Sequence, residues 1–221
     1  MSAPSVLPRP ETIPSTVTKG PCTLPDDVDM IDTEPPVSRM KGSTMRALIV
    51  YESMFGNTHV IADHVATGVA THLETTVVGV HDATVDLVES ADLVVIGGPT
   101  HVHGMSSERS RDGAKDMAAK DDELHLDPDA EGPGLRDWFD ELPEHLQGRA
   151  AAFDTRVHAT TLVTGQASKG ITKRLRRHGF EMLVEPESFF VDKSNHLEDG
   201  EATRAEEWGR SLAAAMNHSM D

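Results

Sequence analysis

Residues Met45–Thr58, MRALIVYESMFGNT, decide the fold. The apolar run Ala47-Leu48-Ile49-Val50-Tyr51 leads straight into Glu52-Ser53-Met54-Phe55-Gly56-Asn57-Thr58. Val60, Ile61, His64, Val65, Gly68, Val69 and Leu73 then recur at helical spacing. This predicts a buried strand, a short loop and an amphipathic helix. A loop that ends at a helix N-terminus offers backbone N–H groups and the positive end of the helix dipole. Ser53, Asn57 and Thr58 add side-chain donors, and Gly56 can take a left-handed backbone angle. Such a loop suits a phosphate. Without a ligand, the same residues make a strand-to-helix turn capped by Asn57 or Thr58.

Two nucleotide patterns are absent. No lysine lies in the loop, so GxxxxGK[ST] does not apply, and Gly56 alone cannot make GxGxxG. Hydroxyls and N–H groups without a cation fit one terminal monophosphate.

SMFGNT resembles the [ST]-x-x-G-x-T phosphate loop of flavodoxins, which holds the phosphate of FMN. YESMFGNT is similar in particular to the flavodoxin domains of flavodiiron proteins and to flavodoxin-like quinone reductases. The resemblance runs roughly from Arg46 to Met216. It implies an α/β three-layer sandwich around a five-stranded parallel sheet in order 2-1-3-4-5, with FMN at the switch point.

The rest of the chain agrees with that order of elements. Thr75–Val80 reads as a second strand, Ala83–Ser90 as a short helix capped by Asp82, and Asp92–Gly97 as a third, central strand. Strands alternating with helices indicate a parallel sheet covered on both faces, with right-handed crossovers. The loop after the third strand, GGPTHVHGM, resembles the G-x-P-T loop of the quinone reductases. The resemblance places Pro99, Thr100, His101, Val102, His103 and Gly104 against the flavin ring, with a Gly104 peptide carbonyl available to reduced flavin N5–H. His101 and His103 also form an H-x-H pair, but two histidines make an incomplete zinc set, so no metal is expected there.

Residues 105–131 exceed what this connection needs. They read either as a surface excursion with a short helix, or as a cover that offers Arg109 and Arg111 to an anionic substrate or nicotinamide-cofactor phosphate. Leu135, Trp138, Phe139, Leu142 and Leu146 follow a helical period, with Pro143 ending the helix and Trp138 in the core. Arg149–Asp154 is the fourth strand. The resemblance assigns the loop after it, with Asp154, Thr155 and Arg156, to the flavin. That loop departs from the family by lacking an aromatic residue, so Phe55, His101, His103, His158 or Arg156 must stand in. Ala167–His178 reads as a basic helix capped by Ser168, carrying Lys169, Lys173, Arg174, Arg176 and Arg177. Glu181–Val184 and Ser188–Val191 form one interrupted fifth strand, kinked at Pro186, and Thr203–Met216 closes the domain.

Composition sets the outer limits. Residues 1–44 hold eight of the thirteen prolines and no strand or helix period, so they are expected to be disordered, leaving 45–221 as the domain. No signal or transit pattern appears in them. Four cationic and six acidic side chains give this segment −2, so the remainder carries −15 of the net −17. A surface that acidic repels nucleic acid and anionic membrane and attracts basic partners. No apolar run approaches the ~18 residues of a membrane span. The single cysteine, Cys22, cannot close an internal disulfide, in keeping with a cytoplasmic protein.

These readings point to a flavodoxin-like FMN-binding redox protein. The resemblance supports two jobs: carrying electrons to a redox partner protein, or reducing a small acceptor such as a quinone with NAD(P)H. No side chain is assigned as acid, base or nucleophile. The alternative is a binding or regulatory module that kept the fold and lost the flavin.

Overall fold

A computed structural model describes residues 44–101, 104–121, 123–158 and 165–218. The N-terminal extension up to residue 43, Val102, His103 and Ala159 lie outside the described residues.

The described elements are, in order, β1 (Arg46–Tyr51), α1 (Asn57–Val69), β2 (Glu74–Gly79), α2 (Val85–Ser90), β3 (Leu93–His101), β4 (Gly104–Met105), α3 (Glu108–Ala118), α4 (Leu135–Glu141), β5 (Arg149–Val157), α5 (Ala167–Arg177), β6 (Glu181–Met182), β7 (Glu187–Val191) and α6 (Glu201–His218). β1 lies inside a parallel sheet. Tyr51 stands opposite Gly79 of β2 on one side and Gly97 of β3 on the other. β3 pairs with β5 from Leu93–Arg149 to Pro99–Thr155. β6 and β7 then follow one another along the outer edge of β5, both parallel to it. The order β2-β1-β3-β5-β6 is therefore the expected 2-1-3-4-5, with the fifth strand divided in two around Pro186. β4 is an addition: two residues that turn back antiparallel on the end of β3, with His101 opposite Gly104.

The period of two in β1 sorts its side chains between two cores. Leu48 and Val50 pack with Val94, Ile96, Trp138, Phe139, Ile171 and Leu175 on one face. Ala47, Ile49 and Tyr51 pack with Ile61, Val65, Val69, Leu212 and Met216 on the other. Helices α1 and α6 meet on this second face at two glycines. A Cβ on Gly68 would stand 2.1 Å from the Glu206 carbonyl oxygen, and one on Gly209 would stand 2.3 Å from that of Val65. As expected, Trp138 is in the core, where its indole N–H donates to the Ala83 carbonyl at 2.7 Å.

Several helix starts differ from the sequence reading. Thr84, not Asp82, caps α2, because its hydroxyl reaches the Leu87 N–H while 80–82 form a 3₁₀ turn. Gln166, not Ser168, precedes α5; Ser168 lies in the first turn, where its N–H donates to the buried Asp154 carboxylate at 2.8 Å. β3 runs four residues and β5 three residues further than the apolar pattern indicates, since Gly98–His101 and Thr155–Val157 keep strand pairing beyond the hydrophobic run.

The stretch after β4 is a packed cover. Ser107 and Ser110 form a reciprocal capping pair that starts α3. Met54 and Phe55 then pack against Ala114 and Ala130, and the Asp127 N–H donates to the Met54 carbonyl at 2.9 Å. Arg111 is buried and paired with Asp137 at 2.9 Å, so of the two arginines proposed to meet an anion only Arg109 is exposed.

Candidate functional site

Helix α1 packs on one face of the sheet, and α4 and α5 pack on the other. A crevice opens between them at the carboxyl ends of the strands, where open α/β sheets bind ligands. Here it is a shallow, open cleft with an enclosed volume of about 100 Å³.

The three predicted loops meet there. Ser53, Met54, Phe55, Asn57 and Thr58 line one wall, and Pro99, Thr100 and His101 another. Thr155 and Arg156 complete it with Val157, Val191 and Asn195. Gly56 is the N-cap of α1, held at φ 89° in the left-handed region, and no side chain caps that helix. The capping by Asn57 or Thr58 allowed by the sequence is thus not made. The Asn57 amide instead donates to the Asn195 carbonyl at 2.8 Å, and the buried Thr58 hydroxyl lies 2.7 Å from that of Thr155. The Ser53 hydroxyl accepts from the Gly56 N–H at 3.1 Å, which fixes the turn. The first turn of α1 therefore lines the cleft at Asn57 and Thr58 without a side-chain cap at the helix start.

Asp154 is brought near but not into the cleft. It is fully buried, holding the start of α5 through Ser168, while the Thr100 hydroxyl accepts from the Ala167 N–H at 2.9 Å. Gly104 sits in β4 behind His101. The Arg156 guanidinium is buried over the Phe190 ring, 4.9 Å from its centroid. Among the residues lining the cleft, Phe55 and His101 carry the rings.

Sequence reasoning gave no role to Glu52. This buried carboxylate, the first residue after β1, accepts from the Ser106 hydroxyl and from the Leu135 N–H at 2.8 Å. It joins the β1 loop to the chain after β4 and to the start of α4. An acid directly after a buried strand is the only signal the sequence offers for it. Val191 and Asn195 were also missed. Asn195 sits at φ 63° in a turn organised by the Asp192 carboxylate, which accepts from the Ser194 and His196 N–H groups and is held below its usual value by them, that of His196 first.

Burial pushes the His101 imidazole below its ordinary value; Glu52 pulls it back up, and Arg111 adds to the drop. The neutral ring is thus favoured in the folded chain, while the unfolded chain takes up this proton near pH ~6.5. Stability is then complete above that value and falls as the pH drops below it. His101→Gln should flatten the dependence of melting temperature on pH between about 7 and 5. An unchanged slope would assign that dependence to other groups.

Residues 49–153 match the flavodoxin family profile, a span that includes the 53–58 loop and the loop after β3 but stops before Asp154. A flavodoxin from the domain Archaea superimposes with a TM-score of 0.53 at 17% identity, over 79% of this chain and 100% of the other. A flavodoxin from Streptococcus pneumonia gives 0.53 at 20% identity, over 76% and 98%. A flavodiiron core from Synechocystis sp. gives 0.51 at 14% identity, over 80% of this chain and 37% of the larger one. At these identities the likeness is one of fold. No curated protein matches the sequence. Among the described residues, no helix is long and apolar enough to cross a membrane. With a flavodoxin profile match over residues 49–153 and a fold shared with two flavodoxins over about three quarters of the chain, the chain has a flavodoxin-like fold.

Proposed function

We propose that the chain binds FMN in this cleft and passes electrons through it. The observation that carries the reading is the start of α1: a left-handed glycine, no side-chain cap, and a first turn whose Asn57 and Thr58 line the cleft. That arrangement answers to a phosphate monoester. The loop 53–58 would hold the phosphate. Residues 99–101 and 155–156 would flank the ring, with Phe55 and His101 in place of the aromatic pair common in flavodoxins. The flavin supplies the electron or hydride transfer; the protein supplies position and field.

Arg156 acts through its charge. A guanidinium on the cleft wall favours a reduced, anionic ring, so Arg156→Gln should lower the reduction potential of the bound flavin, making its reduction less favourable by about 1 kcal/mol given the partial screening of an open cleft. An unchanged potential would place Arg156 away from the ring. Two acceptors fit the reading, a redox partner protein and a small molecule such as a quinone reduced with NAD(P)H. The sparse aromatic cover of the cleft favours the second.

The experiment is uptake. The full chain, freed of ligand and mixed with FMN, should retain one FMN per chain after gel filtration and show flavin absorbance bands. A chain that retains none would overturn the proposal and leave a flavodoxin-fold binding module.

A further inference from the structure

Beneath the phosphate loop, on the α1 side, the 105–134 excursion places two carboxylates against the first turn of the helix. One ring nitrogen of His59 and one oxygen each of Asp127 and Asp129 lie within 4.8 Å of one another. The Asp127 side chain is 1% exposed and that of His59 34%. We propose that His59, Asp127 and Asp129 form a site for a divalent transition-metal ion of the zinc class. The site is separate from the flavin cleft and does not depend on it.

The hydrogen bonds around His59 carry the argument. Tyr51 has a single phenolic proton, and its hydroxyl donates it to Asp129 Oδ2. Tyr51 is also 2.9 Å from His59 Nε2, so at that contact the phenol oxygen must accept and Nε2 must carry the hydrogen. Asp63, 3.9 Å from the same nitrogen, is too far to compete for it. The stacking of the two rings, with centroids 4.3 Å apart, fixes this orientation. The other nitrogen, Nδ1, then presents its lone pair to Asp127 Oδ2 at 3.2 Å. Two acceptors facing each other at that distance require something positive between them. The second Asp127 oxygen does not relieve this, because Oδ1 is occupied by the Asp129 N–H at 2.9 Å.

A metal ion resolves the conflict. A ligating imidazole characteristically gives its other N–H to an outer partner that fixes the tautomer, as Tyr51 does here. Ligand atoms 2.0–2.2 Å from one ion stand about 3–4 Å apart, so the His59–Asp127 separation already fits. Asp129 needs to close by roughly an ångström. His81 Nε2, 3.8 Å from Asp129 Oδ1, flanks the open side, where water or this imidazole would complete the coordination. One imidazole with two carboxylates suits borderline divalent ions, whereas magnesium and calcium prefer oxygen alone. The competing resolution is a second proton on His59, making an ion pair with Asp127 and no metal site.

Equilibrium dialysis of the full chain against Zn2+, with metal analysis, separates the two. The expected result is one tightly held equivalent, and a melting temperature that rises with Zn2+. Asp127→Asn removes the ligand charge while its amide can donate to the Nδ1 lone pair, so the fold is retained without metal. It should weaken Zn2+ binding roughly tenfold or more and abolish the metal-dependent rise in melting temperature. Asp129→Asn, which keeps an oxygen for the Tyr51 hydroxyl, should do the same and serves if the first variant does not fold. Absence of a one-to-one site in the parent chain, or parent-like Zn2+ binding by these variants, would overturn the proposal in favour of the imidazolium pair.

Discussion

Gly209→Ala should destabilise the protein by about 2–3 kcal/mol, a fall in melting temperature on the order of 5–10 °C for a domain of this size. The added Cβ would lie 2.3 Å from the Val65 carbonyl oxygen and 3.1 Å from Gly68 Cα. Those are backbone atoms of the facing helix, so no side-chain rotation relieves the contact. α1 and α6 must move apart, and Ile61, Val65 and Val69 lose their packing on Leu212, Ala213 and Met216. Alanine gains roughly 1 kcal/mol of helix propensity over glycine, which offsets only part of the loss. Gly113 gives the matched control: it lies within α3, and a Cβ there would meet nothing within 4 Å. Gly113→Ala should therefore stabilise by about 0.5–1 kcal/mol. Thermal melts of the two variants should move in opposite directions. If Gly209→Ala melts at or above the parent, the close helix approach is not as described.

Neither glycine announces this difference in the sequence, because the deciding atoms lie more than a hundred positions away in the chain. The same distinction divides the whole reading. What depends on near neighbours was legible. The alternation in β1 assigns Leu48 and Ile49 to opposite cores, and Pro186 divides the last strand. The apolar run followed by SMFGNT locates the crevice. What depends on distant partners was not legible. Glu52 looks like a loop acid until Ser106 and Leu135 reach it. Arg111 looks available to an anion until Asp137 pairs with it. Asp154 follows the apolar part of its strand, as a ligand-facing residue would, yet the start of α5 takes its carboxylate. His59 was one of twelve scattered histidines; only the folding back of the Asp127–Asp129 turn brings these two carboxylates to it.

The phosphate loop itself is tested at Thr58. FMN should bind the parent chain far more tightly than riboflavin, because each hydrogen bond to a charged group contributes ~1.5–3 kcal/mol and the loop can supply several. Thr58→Val keeps the shape and removes one hydroxyl. The N–H groups at the start of α1 remain, so FMN binding should weaken by ~1.5–3 kcal/mol, roughly ten- to a hundred-fold, without vanishing. The structure adds a cost in the absence of ligand. Thr58 is buried and 2.7 Å from the Thr155 hydroxyl, which valine would leave unpartnered, so stability should fall by about 1–3 kcal/mol. That cost is common to both ligands and cancels in their ratio. The informative quantity is therefore the FMN-to-riboflavin affinity ratio in parent and variant, measured by quenching of flavin fluorescence. The ratio should fall roughly ten- to a hundred-fold in Thr58→Val but stay above unity, the loss appearing for FMN alone. A ratio that stays the same would mean that the phosphate does not meet this hydroxyl, and that the 53–58 loop is only a turn between β1 and α1.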